Sequence, residues 1–144
     1  MSEHTASIAW HALGTFSHDG FERSHQATIS GHTVPMSGAN TPAFVDPEQM
    51  LAASLASCHM QTFLLLAAKK RLHVTSYEDT ATAKVETNAD GKQYVSEVRL
   101  NPKAVFTGDK KPSQEEIENM HHKAHDHCFI SNSLLSKTFI NPLF

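Results

Sequence analysis

The stretch from Asp46 to Leu72 limits the fold of this 144-residue chain more than any other part of it. Asp46 is a residue type that caps helices, Pro47 suits a first helical position, and Gln49 stands three residues after the cap. No Gly or Pro interrupts the chain from Glu48 to Leu72. Small residues (Ala52, Ala53, Ser54, Ala56, Ser57) lead to Cys58, and Phe63 to Ala68 is apolar nearly all round. This pattern predicts a helix over 47–72 that is buried at the centre of the fold.

The flanking segments change period. Residues 4–37 alternate polar and apolar around turn signals at His18-Asp19-Gly20 and Ser30-Gly31, which predicts two or three antiparallel strands. Gly38, Asn40 and Pro42 mark a loop before Asp46. Thr80 to Glu86 and Tyr94 to Phe106 read as a hairpin around Asn88-Ala89-Asp90-Gly91. Ser113-Gln114-Glu115-Glu116 has the form of a capping box, opening a second helix that reaches about His127. Ile117, Met120, Ala124 and Cys128 form its apolar stripe, so Cys128 continues a buried face. A last strand spans Lys137 to Asn141. The order of elements predicts one α+β domain over 1–144, an antiparallel sheet with a long central buried helix.

Composition removes several classes of function. Net charge is −3, and the twelve Lys and Arg residues are scattered, so nucleic acid is not the expected partner. The longest apolar run, Phe63 to Ala68, falls far short of the roughly 20 residues of a membrane span. The first residues carry neither the basic start nor the apolar stretch of a secretory signal, which predicts a cytoplasmic protein.

Two cysteines in a reducing compartment argue little for a structural disulfide. Each admits a plain reading as a small buried hydrophobe. The alternative is redox chemistry: small neighbours leave the sulfur of Cys58 approachable, and Cys128 lies on a buried stripe. His59 points elsewhere on the helix than Cys58, since adjacent residues do not share a face. The run His121-His122-Lys123-Ala124-His125-Asp126-His127 holds four histidines. His121, His125 and Cys128 suggest a zinc set, whereas a solvated polar face near a helix C-terminus is the simpler account.

The segment Asp46 to Cys58 resembles the Asn-Pro-Glu-(Gln/Glu)-Leu, small-residue, Ala-Cys motif of the OsmC/Ohr family, the osmotically inducible and organic hydroperoxide resistance proteins. His127-Cys128-Phe129-Ile130-Ser131-Asn132-Ser133 resembles the segment around that family's other cysteine. The order and separation of the two blocks agree over nearly the whole chain. Phe129 stands where relatives often carry Pro, and the surroundings of Arg23 depart from the hydroperoxide branch, which suggests an OsmC-like subgroup.

The resemblance implies an intertwined homodimer and a cysteine-based hydroperoxide reductase. Cys58 matches the cysteine that attacks peroxide, Cys128 the one that resolves it, and Glu48 the acidic residue at the helix start. Arg23 is the one arginine of three upstream of the helix, and so the candidate for the family's arginine. No cofactor is implied beyond an external dithiol reductant, typically a lipoylated protein. Ten residues of one helix hold Glu48 and Cys58 about 15 Å apart along its axis, so Glu48 reaches the sulfur only through an ion pair with Arg23, a helix break or a second subunit. The competing expectations are a non-catalytic module that binds an apolar ligand, and a zinc-binding protein.

Overall fold

Asp46 and Gln49 start the long helix as a reciprocal pair. The Gln49 N–H donates to Asp46 Oδ1 at 2.8 Å, and the Asp46 N–H donates to Gln49 Oε1 at 3.0 Å. The Asn40 N–H adds a bond to Asp46 Oδ2, and Asp46 is buried. These donors, the Gln49 N–H foremost, hold its carboxyl below the usual carboxylate range. The computed structural model describes residues 1–144, which divide into two compact units, Met1–Met50 and Leu51–Phe144.

In the first unit, β1 (Ser7–Ala9), β2 (His25–Ile29) and β3 (His32–Met36) form an antiparallel sheet in that order. Ser30 and Gly31 both take positive φ, 49° and 78°, as the tight hairpin between Ile29 and His32 requires. Between β1 and β2 an aromatic run is left largely uncovered within the unit. Trp10 lies 5.6 Å from Phe16, and Phe16 lies 5.7 Å from Phe21, between ring centroids.

The helix α1 covers Pro47–Lys69. It stops short of Leu72 because Arg71 turns into the left-handed region at φ 60°, and the Leu72 N–H closes back on the Ala67 carbonyl at 3.0 Å. Only one stripe of α1 is buried in the single chain: Ala52, Leu55, His59, Phe63 and Ala67. The all-round burial expected from the sequence is therefore not reached, and Leu65 is 55% exposed. By length and mean hydropathy (1.5) α1 is apolar enough to cross a bilayer, but its stripe is occupied by protein packing.

The second unit packs two sheets and two further helices on that stripe. β4 (His73–Glu78) pairs antiparallel with β7 (Lys103–Thr107). β5 (Thr82–Thr87) pairs antiparallel with β6 (Gln93–Leu100), and β6 pairs parallel with β8 (Lys137–Ile140). The single strand expected over 94–106 is thus two strands in different sheets. Pro102, fully buried and without an N–H, cannot continue the ladder. The β6–β8 pair adds one parallel ladder to the expected antiparallel pairing.

α2 (Gln114–His127) opens with the predicted capping box: Ser113 Oγ accepts from the Glu116 N–H at 3.2 Å, and Glu116 Oε1 accepts from the Ser113 N–H at 3.4 Å. A short α3 (Phe129–Asn132) follows. Phe63, Ala67, Leu72, Met120 and Ala124 form one core cluster, with Val74, Tyr77 and Phe106 of the β4–β7 sheet against it. Ala52, Leu55, Val98, Leu100 and Cys128 form the other, under the β5–β6–β8 sheet.

Candidate active site

Cys128 sits where two helices meet. It is the C-cap of α2 and the N-cap of α3, and its side chain is wholly buried. Cys58 is half-buried on α1 and packs against the same core cluster. The fold so brings together in one core cluster two free thiols 70 positions apart in sequence, close enough for Cys58 to act on the ionisation of Cys128. Burial, and then the Cys58 thiol, push the Cys128 thiol up to about 11. The Ser131 N–H, which donates to Cys128 Sγ at 3.4 Å, acts in the opposite direction. The pair is asymmetric: one sulfur is partly open to solvent, and the other is held behind it, largely as thiol at neutral pH.

Arg23 and Glu48 belong to the first unit and line one cavity of about 650 Å³. Its remaining walls include Ile8, Trp10, Phe16, Phe21 and a second carboxylate, Glu22, so three charged side chains edge a mainly aromatic and aliphatic space. The ion pair expected between Arg23 and Glu48 is not formed. The Arg23 guanidinium lies over the Phe21 ring, 4.7 Å from its centroid, a favourable cation–π placement. Arg23 takes part in none of the chain's salt bridges, and Glu48 Oε2 is buried without a hydrogen-bond partner.

The histidine run resolves differently from its sequence reading. His122 and His127 are exposed, as a polar face requires, but His121 is buried at 2% exposure. His121 Nδ1 lies 3.0 Å from His59 Nε2, and the Phe63 ring stacks on His121 with centroids 4.2 Å apart. Burial lowers the pKa of His59 to about 4 and of His121 to about 3, so both are neutral at pH 7. No three His, Cys, Asp or Glu side chains converge where a metal ion could be held. The zinc set fails because His121 turns inward to His59 while Cys128 faces Cys58. His59 was legible only as a residue off the cysteine's face. Its partner lies 62 residues away, and no local pattern signals it.

Residues 39–142 match the family model described as OsmC-like protein. An OsmC-like protein of unknown function from Vibrio cholerae O1 biovar eltor has the same fold, with a TM-score of 0.93 and 37% identity over 99% of this chain and all of that one. The organic hydroperoxide resistance protein OhrB of Bacillus subtilis superposes with a TM-score of 0.70 at 18% identity, covering 96% of this chain and 98% of its own. In sequence, the organic hydroperoxide resistance protein-like 1 of Staphylococcus saprophyticus is 26% identical over 117 residues, 81% of this chain and 80% of that protein. The chain belongs to the OsmC-like protein family.

Proposed function

We propose that this chain is a thiol peroxidase that reduces hydroperoxides, with Cys58 as nucleophile and Cys128 as resolving thiol. The observation that carries the reading is the paired thiols, Cys58 half-exposed and Cys128 buried beside it. The thiolate of Cys58 attacks one oxygen of ROOH, breaks the O–O bond and becomes a sulfenic acid, while the other oxygen takes a proton and leaves as ROH. The Cys128 sulfur then displaces water from Cys58–SOH and forms a disulfide. An external dithiol returns both thiols by exchange and is itself oxidised to a disulfide.

Arg23 is assigned the cation that favours the attacking thiolate and donates to the peroxide oxygens, and Glu48 the carboxylate that steers it. Their presence on one cavity with aromatic walls supports an organic rather than an inorganic peroxide. A homodimer fits the uncovered side of α1, where Leu65 stands exposed. That same cavity is what favours the second reading, a non-catalytic module that holds an apolar ligand.

Rapid mixing with cumene hydroperoxide separates the two. The peroxidase reading expects saturable loss of two thiols per chain and an intramolecular disulfide by mass spectrometry. Slow, unsaturable oxidation, with the thiols reacting independently, supports the binder.

A further inference from the structure

The side chains of His125 and Ser131 span the α2–α3 junction on either side of Cys128. His125 Nδ1 lies 3.1 Å from Ser131 Oγ, partly buried. The Cys128 N–H donates to the His125 carbonyl at 3.4 Å, and the Ser131 N–H donates to Cys128 Sγ at 3.4 Å. These three contacts close a ring: His125 backbone to Cys128 backbone, Cys128 sulfur to Ser131 backbone, Ser131 hydroxyl to His125 ring. We propose that His125 and Ser131 are positioning residues that hold the Cys128 sulfur aimed at Cys58 for disulfide closure.

The ring has two effects on the sulfur. It fixes the backbone turn from α2 into α3, which sets the direction of the Cys128 side chain. It also keeps the Ser131 N–H on Sγ, and a hydrogen bond to sulfur favours the anion needed for attack. Within Cys128's surroundings that N–H is the largest influence opposing burial. His125 also lines a cavity of about 380 Å³ with Glu118, His121 and His122.

The inference rests on the reading of Cys128 as resolving thiol, and its test does not require peroxide. Ellman's reagent converts the accessible Cys58 into a mixed disulfide with thionitrobenzoate. Attack by Cys128 forms the Cys58–Cys128 disulfide, expels a second thionitrobenzoate and releases one proton to buffer. The rate of that second release reads closure alone.

His125→Ala and Ser131→Ala are expected to slow it roughly tenfold, the worth of about one hydrogen bond in a barrier. His125→Asn, whose amide reaches the position of Nδ1, is expected to recover most of the rate. Thermal melts on each variant establish that it is folded, and Cys128→Ser must abolish the second release. Closure at the parent rate in both alanine variants overturns the proposal, as does His125→Asn closing as slowly as His125→Ala. A chain that closes quickly yet ignores hydroperoxides overturns the peroxidase reading while leaving the clamp intact.

Discussion

His59 Nε2 and His121 Nδ1 meet at 3.0 Å in the core of the second unit, one from α1 and one from α2, both almost fully buried. With His59 Nε2 facing His121 Nδ1, one nitrogen carries the hydrogen and the other accepts it, so the neutral pair holds the same tautomer on both rings, and a proton added to either is opposed by burial and by its neighbour. Burial leads the depression of both pKa values, with His125 adding to it at His59 and His59 at His121.

The pair makes stability depend on acid. Unfolded histidines titrate near pH 6.5, whereas the folded pair stays neutral to about 4 and about 3. The unfolded chain therefore binds more protons across that window, and stability is complete above about pH 6.5 and lost as pH falls toward 4. Over that span the loss is on the order of a few kcal/mol. Melts at pH 7.5 and pH 5 should show Tm falling by several degrees, and the fall should shrink in a His59→Phe/His121→Leu double variant. An unchanged Tm between those pH values contradicts the assignment.

Phe63 joins this pair to the β4–β7 sheet. Its ring is fully buried, stacks on His121, and meets Tyr77 at 5.6 Å and Phe106 at 6.4 Å between centroids. Phe63→Ala removes these contacts and leaves a cavity beside two histidines that cannot refill it. Urea unfolding should show a loss of about 3–5 kcal/mol.

Arg23→Ala separates chemistry from folding. The guanidinium is exposed, packs over Phe21 and enters no salt bridge, so its removal should leave Tm within a few degrees of the parent. In the proposed role it supports the thiolate and donates to the peroxide oxygens, and a hydrogen bond to a charged group is worth about 1.5–3 kcal/mol. The first oxidation step should therefore slow roughly tenfold or more in stopped-flow at pH 7, and Arg23→Lys should recover only part of the rate. An Arg23→Ala variant as fast as the parent removes Arg23 from the mechanism.

What could be read from the sequence was what local chemistry decides. Asp46 with Gln49, and Ser113 with Glu116, start their helices as their spacing predicts. Asn88 organises the predicted hairpin by accepting from the N–H groups of Asp90 and Lys92. The stripe Met120, Ala124 and Cys128 is buried as its periodicity implies. What escaped was set by partners far along the chain. His121 looked like part of a polar face because its neighbours His122 and His127 are one, while His59 arrives from 62 residues away. The parallel pairing of β6 with β8, Leu100 beside Ile140, is equally non-local. The break between β6 and β7 did carry a local signal, Asn101-Pro102, which the apolar alternation around it masked. In the site, the proximity of Cys58 and Cys128 came from resemblance, and neither cysteine's surroundings in sequence reveals the other.

The most direct test is to mix the reduced chain with one equivalent of cumene hydroperoxide and follow its products by intact-mass and peptide mass spectrometry. The predicted result is a loss of two hydrogens per chain, with Cys58 linked to Cys128. Cys128→Ser should instead gain one oxygen on Cys58, trapped by dimedone, and Cys58→Ser should stay reduced. Oxidation of Cys58→Ser at the parent rate, or a parent chain whose cysteines oxidise without ever becoming linked, would contradict the account.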